Sequence, residues 1–553
     1  MRVPTLTTEG LTTARLRSLV ERGRASSRCT AWEVVVCGSL LALVAAVAFG
    51  SHVRNGGFYN DDWAFATTFA YAPEPGLLGA IRAFDWYSFR PVSMLYLPAM
   101  YEVFGMQAGL HLALVAVTAV ALSGALYWLL RTLAMERLHA GAVAVLVLLF
   151  PASDANRHWA AASIALPAIA LYLAGAALAL KGLAARGRRA IALHAGAVVL
   201  YVLSVMTYEI AAGAILLSVL LYRLRGTWDA ALSRWLVDVT AVVPVLLLVT
   251  SGSWNEPQPL GTTVRHAGTV ADGAVTILAQ AAVPFGNADT RIVLTLLALV
   301  AATGVVVWRL RPPADPVGRE LGRWLSIALA ASCAIAIGYA IFIPADPDSY
   351  SPLMPGQGNR VNGLAAIGFV LLIYALAMVA ATLVARRARL WREWSAGLAT
   401  ALALLLAWGW LQRIDAHTTQ WDRSAAAQAD VVTHIDRAVP ASRPGTTIYA
   451  VRLPTLAAPG VPIFGSTWDL AGALAIEWNE PSISAFPAVP GTSFACGERK
   501  ISAQNWLDAF DPQTAEYGRA IVVDVAASTA VRVRDRASCL SAARRFSTDG
   551  RTG

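Results

Sequence analysis

Between residues 34 and 411 the sequence repeats one pattern, an apolar run followed by a polar connection. Crossing roughly 30 Å of hydrocarbon takes about 20 residues of helix. Apolar runs of about that length fall at 34–50, 108–130, 138–151, 164–180, 190–206, 210–222, 235–251, 292–308, 324–343, 363–385 and 395–411. Backbone polar groups in lipid must be satisfied within their own segment, so about eleven such runs predict an α-helical polytopic membrane protein. Two of them, 138–151 and 210–222, fall short of the crossing length. The composition agrees, with 57% hydrophobic and 14% charged residues over 553 positions. Soluble domains carry about a quarter charged residues, which excludes a soluble enzyme, a disordered chain and a coiled coil.

Lysine and arginine collect in cytoplasmic connections, and here they alternate sharply. The N-terminal segment and every second connection hold 23 of the 44 basic residues, the intervening connections hold seven, and 14 follow residue 411. The expected arrangement is a cytoplasmic N-terminus, a multi-pass span of the plasma membrane and an extracytoplasmic C-terminus. Residues 1–33 are then a basic cytoplasmic segment, of which 11–28 either rests on the anionic leaflet or serves only as a topology signal. Ala46-Val47-Ala48 resembles a cleavage site. The polar stretch before the first run is longer than a signal peptide's basic start, so that run is read as a retained anchor. Asp238 is the one acid within a run. Ion-coupled transporters place ionisable groups near the midplane, and this pattern argues against one.

The polar residues gather instead in the outer loops, 51–107, 152–163, 252–291 and 344–362. The first carries Asn60-Asp61-Asp62-Trp63 and then Phe89-Arg90-Pro91. Adjacent carboxylates at a membrane boundary repel each other, and burial raises their pKa, so either could serve as a general base near neutral pH. A helix N-cap followed by a solvated turn explains the same residues without chemistry. Residues 90–104 are too short to span and too apolar for a free loop, which predicts a helix in the interface with Pro91 in its first turn and Gly105 at its end. Arg90 at its start offers a bidentate fork to a phosphate, or simply snorkels. The second loop concentrates Asp154, Arg157, His158 and Trp159. Asp154 could orient an acceptor or help hold a divalent cation, with Arg157 or His158 facing a phosphate. Glu209 occupies a tight turn between two runs. A loop at Trp254-Asn255-Glu256 precedes an amphipathic stretch at 270–282, and the last loop runs from Asp346 through Tyr350 to Arg360. A Gly- and Pro-rich loop that ends in arginine at the lipid surface suits a gate over a lipid phosphate.

Taken in order, Asn60-Asp61-Asp62-Trp63, Phe89-Arg90-Pro91-Val92, the step from Phe104-Gly105 to His111, the Pro151 to Asp154 loop, Thr207-Tyr208-Glu209 and Arg360 resemble the GT-C superfamily. Its members include protein O-mannosyltransferases, aminoarabinose transferases, the oligosaccharyltransferase catalytic subunit and mycobacterial arabinosyltransferases. The resemblance covers roughly residues 30–410 and rests on the order and common side of individually weak motifs. It implies a glycosyltransferase that moves a sugar from a polyprenyl-phosphate donor to a glycan, lipid or protein acceptor on the outer face, with inversion. It implies Asp61 as base with Asp62 as its alternate, Arg90 and Arg360 as phosphate ligands, and Asp154 and Glu209 as acceptor-orienting acids. The chain has Arg-Pro where the O-mannosyltransferases have His-Pro-Pro, and lacks the Trp-Trp-Asp of oligosaccharyltransferases, which argues against protein glycosylation of either kind. The cofactor is left open, a divalent cation among the options. Partners beyond donor and acceptor are membrane lipids; no nucleic acid is expected, and the chain carries no Walker motif or dinucleotide fingerprint. The alternative reading is a non-catalytic flippase or scaffold for lipid-linked glycans, in which the same acids and arginines only bind a headgroup.

From residue 412 the hydropathy falls, and 412–553 reads as an extracytoplasmic α/β domain large enough for its own core. Expected elements are a helix at 415–438, strands at 446–451, 520–525 and 530–533, and a helix at 469–478. Cys496 and Cys539 both lie on the oxidising side, where a disulfide is expected. Trp421, Trp468, Trp478 and Trp506 either stack on sugars or pack a core.

Overall fold

The computed structural model describes residues 31–251, 258–286, 289–312, 314–345, 350–440, 444–489, 491–504 and 512–546. The basic segment 11–28, the Trp254 to Glu256 motif, Asp346 to Ser349 and Trp506 lie outside the described residues. Among the described residues nine helices are long and apolar enough to cross a membrane, and the chain is a multi-pass membrane protein. They are Ala31–Asn55, Ala108–Thr132, Ala161–Leu183, Gly187–Thr207, Trp228–Ser251, Thr290–Arg309, Pro316–Ala340, Gly356–Ala385 and Trp391–Ala438. The two expected spans that differ are the two short ones. Arg137–Leu148 is a single helix of 12 residues. The run at 210–222 is divided into Glu209–Ala211, Ala212–Leu216 and Ser218–Arg223. An apolar run of marginal length has too few residues to set its own path and follows the packing around it.

The bundle is held at depth by Gly356–Ala385, whose residues are almost all buried. It packs against Pro316–Ala340 and takes a nearly uniform apolar surface to do so, as a helix surrounded by others must. Gly368 allows the close approach, since a Cβ there would lie 2.7 Å from the Ile335 backbone.

The connection after the first spanning helix is helical for most of its length, with Asp61–Ala70, Gly76–Ala83 and Pro91–Phe104. The last is the short apolar helix expected over 90–104. Pro91 fills its first turn, where its missing N–H costs nothing. Gly105 stops it at φ +56°, its N–H donating to the Tyr101 carbonyl at 2.7 Å. The stretch expected at 270–282 extends to a helix over Leu260–Ala282.

The last spanning helix continues through the expected boundary at 411/412. Trp391–Ala438 is one helix of 48 residues, about 72 Å long at 1.5 Å per residue. It carries the chain directly into the C-terminal domain, where Val431 and Ile435 enter the core. That domain is built on a four-stranded sheet in the order Ser484–Pro487, Thr447–Val451, Ala520–Asp524, Thr529–Val533. The first three strands run parallel and the last antiparallel. A second, three-stranded antiparallel sheet carries Cys496, which is joined by a disulfide to Cys539 of the terminal helix Arg536–Phe546.

Candidate active site

The helix Thr467–Trp478 of the C-terminal domain lies against Asp61–Ala70 of the first loop. Its start is fixed by a capping box between Ser466 and Asp469, which satisfies two exposed backbone N–H groups reciprocally. Gly472 brings the two helices together, because a Cβ there would sit 2.6 Å from the Trp63 carbonyl. Tyr71 donates its hydroxyl to the Ala475 carbonyl at 2.7 Å. This contact places Trp468 over the start of the loop helix. The indole N–H is shared between Asn60 Oδ1 at 2.8 Å and Asp61 Oδ1 at 3.1 Å.

Asp61 and Asp62 have different surroundings. Asp62 is fully buried and its carboxyl accepts from the backbone N–H of Tyr59 at 3.1 Å and of Ala161 at 2.7 Å. It thereby ties the first outer loop to the second. Burial pushes its pKa up to about 8, against those two N–H groups and with the charge of Asp61 adding to the rise. Asp61 instead faces a cavity of about 470 Å³. Burial raises its pKa as well, while the charge of Arg360 and the Trp468 N–H pull it back. Among the described residues Asp61 is the one acid that lines this cavity.

Two arginines line it too. Arg90, at the start of the interface helix, is held by Glu209, which accepts from Nε at 3.0 Å and from Nη2 at 2.6 Å. Its Nη1 donates to the Tyr87 hydroxyl at 2.9 Å, and its guanidinium lies 4.4 Å from the Tyr208 ring centre. Arg360 comes from the turn Gly356–Val361 and lies 4.7 Å from the centre of the Tyr350 ring. Its Nε is buried with no hydrogen-bond partner among the described residues. Buried donors in folded proteins are almost always satisfied, so this one is available to a ligand.

The turn that carries Arg360 is pinned from two sides. From the second loop, Asn156 donates to the Arg360 carbonyl at 2.9 Å, and Asn359 bonds both to the Asp154 carboxylate and to the Ala155 N–H. From the C-terminal domain, the Gly460 carbonyl accepts from the Gln357 N–H at 2.9 Å. At Gly356, φ is +63° and a Cβ would collide with that same carbonyl, so only glycine fits.

The structure brings together Asp61, Arg90, Tyr350 and Arg360 on one cavity, with Glu209 behind Arg90. It places Asp154, Arg157 and His158 elsewhere. Asp154 accepts from Asn359 and from Trp421 Nε1 at 2.9 Å. Arg157 donates to the carbonyls of Phe150, Ser153 and Val147, all near the end of Arg137–Leu148. Val147 is in the last turn of that helix, where carbonyls lack a partner within the helix, and Phe150 and Ser153 lie in the turn that follows. His158 bridges the Asp154 carbonyl and Thr418 Oγ1 at 3.1 and 2.9 Å. The expected facing of Arg157 or His158 toward a phosphate is therefore corrected: all three hold the second loop in place. Glu209 orients Arg90 in the described geometry. Trp468, Trp159, Asn156, Tyr87 and Tyr208 also line the cavity or fix its arginines; the sequence named Trp159 and Tyr208 only within their motifs, and Trp468 only as a residue that stacks on sugars or packs a core. The density of polar residues beside Asp154 and Arg90 hinted at the others, while the contact of Trp468 with Asp61 had no local signal. Trp421 is core and Trp478 bonds Asp436.

Among the described residues no group of three or more His, Cys, Asp or Glu side chains is placed to hold a metal.

The class that fold and site define is a polytopic membrane protein with a cavity that pairs one carboxylate with two guanidinium groups. No protein-family model matches the chain, and no curated protein does. Among solved structures it is similar to ArnT from Cupriavidus metallidurans in the apo state, at 14% identity and a TM-score of 0.37 over 80% of this chain and 88% of that one. The same protein bound to undecaprenyl phosphate matches at 14% identity and a TM-score of 0.35, over 81% and 89%. The Archaeoglobus fulgidus oligosaccharyltransferase tethered to an acceptor peptide matches at 14% identity and a TM-score of 0.40, over 81% of this chain and 63% of that one.

A Trp468→Phe substitution tests the indole's part in the site. It keeps the ring and removes the N–H, so the Asp61 pKa should rise further. If Asp61 works as a base, activity is carried by its ionised form, is lost as pH falls through that pKa, and recovers above it. The acid limb of the pH profile should move to higher pH in the variant. An unmoved limb would remove Trp468 from any role beyond packing.

Proposed function

We propose that the protein is a membrane glycosyltransferase that takes a sugar from a polyprenyl-phosphate donor and transfers it, with inversion, to an acceptor hydroxyl at the extracytoplasmic surface. The observation that carries this reading is the convergence of Asp61 and Arg90, from the two ends of the first loop's helical stretch, with Arg360, about 270 residues further on, on one cavity. In the step proposed, an acceptor oxygen forms a bond to the anomeric carbon while the bond from that carbon to the phosphate oxygen breaks. The acceptor proton passes to Asp61, and polyprenyl phosphate leaves as an anion. Arg90 and Arg360 meet that developing charge with donors already in place, which is where preorganised groups contribute most. Glu209, which takes the Nε/Nη2 edge, and Tyr87, which accepts from Nη1, fix the Arg90 guanidinium at the cavity wall. Trp159, Phe65, Phe89 and Trp86 supply apolar walls that exclude water.

The test is release of polyprenyl phosphate by the purified protein in lipid nanodiscs, given a panel of polyprenyl-phosphate sugars and an envelope-glycan acceptor. Release with one donor is expected. Arg360→Ala should weaken donor binding, raising the apparent KM by roughly tenfold, the scale of one hydrogen bond to a charged group. Headgroup binding without release from any donor would instead point to a flippase or scaffold.

A further inference from the structure

The division of residues 209–223 into short helices leaves space within the bundle. Three pieces that do not stack into one cylinder cannot fill the volume between Ala165–Leu183 and Pro316–Ala340. What remains is a groove of about 700 Å³, lined by apolar side chains such as Leu130, Leu173, Leu221, Ile327 and Ile367. Leu217, Leu220 and Leu329 at its edge are exposed, so it opens toward the bilayer. Protein interiors do not keep apolar voids of this size. Water needs two to four polar partners to settle in one, which this lining does not provide along its length. Hydrocarbon fits.

The groove also has a charged end, where Arg225 and Arg323 join its lining. Both belong to the basic connections. Among the described residues, Arg225 makes one side-chain hydrogen bond, to the Thr132 carbonyl at 2.6 Å. Arg323 lies 5.6 Å from the Trp324 ring centre, and the nearest carboxylate, Glu320, is 3.9 Å away, too far for a hydrogen bond. Both guanidinium groups keep open donors at the mouth of an apolar groove. That is the complement of a lipid with an anionic head. The groove shares no lining residue with the Asp61 cavity, so its occupant is distinct from the proposed donor.

We propose that this groove binds one anionic phospholipid from the leaflet beside the basic connections, with its phosphate on Arg225 and Arg323 and an acyl chain lying along the leucines. The full chain is purified from nanodiscs of equal phosphatidylglycerol and phosphatidylcholine, and the retained lipid is read by native mass spectrometry. One phosphatidylglycerol should be retained with a preference of about tenfold or more, the scale set by two arginines near a lipid surface. Arg225→Ala with Arg323→Ala should erase the preference, and Arg225→Lys with Arg323→Lys should keep it. Ala330→Trp, which fills the groove, should lose the lipid while both arginines stay. Equal retention of the two lipids by the wild type would overturn the proposal, as would undiminished phosphatidylglycerol in Ala330→Trp. Displacement of the retained lipid by polyprenyl phosphate, one for one, would assign the groove to the donor instead. None of these readouts depends on transfer activity.

Discussion

Asp61→Asn is expected to reduce transfer by roughly 10²–10⁴-fold, the usual contribution of a positioned general base, while donor binding changes little. Asparagine keeps the shape and the acceptor oxygen that meets the Trp468 N–H at 3.1 Å, so the site should stay assembled. What it cannot do is take a proton. Single-turnover release of polyprenyl phosphate, measured beside binding of the same donor, separates the two effects. A variant that retains more than about a tenth of the wild-type rate would place the base elsewhere.

The neighbouring residue should behave in the opposite way. Asp62→Ala strips the acceptor from two buried backbone N–H groups, Tyr59 and Ala161, at about 1–3 kcal/mol each. A total loss near 3 kcal/mol is expected, seen as a lower unfolding midpoint and as faster amide exchange at those two positions. The pH dependence has a defined sign. Burial raises this carboxyl from 3.8 to about 8, so the native state binds its proton more tightly than the unfolded chain does. The stabilisation is fully present below the unfolded pKa and is lost as pH climbs through about 8. The gap between wild type and Asp62→Ala should therefore narrow over that window. A gap that widens would mean that Asp62 is held as a carboxylate.

The two adjacent acids mark where reading the sequence succeeds and where it stops. Their position after the first span was legible from hydropathy and charge, as were the interface helix, the last-loop arginine and most spans. Which acid faces the cavity was not, because that follows from the Ala161 N–H, 99 positions away. Trp468 was illegible for the same reason, since it meets Asp61 across 407 residues. Asp154, Arg157 and His158 misled because polar residues clustered at a membrane surface satisfy helix ends and pin loops as readily as they bind ligands. At 411/412 the hydropathy falls within a helix, Trp391–Ala438, that does not end there. Falling hydropathy registers the passage from lipid to water, and a helix can make that passage without ending.

The uninterrupted helix Trp391–Ala438 also limits how this chain can tolerate insertions. Each helical residue advances about 1.5 Å and rotates about 100°. One residue gained between the membrane and the domain would swing Trp468 away from Asp61 by more than a right angle. Restoring the bearing takes about two full turns, which lifts the domain by about 11 Å and again breaks the contact. The shaft behaves as a screw thread with a single working setting, so length changes that a surface loop would absorb have no neutral outcome here.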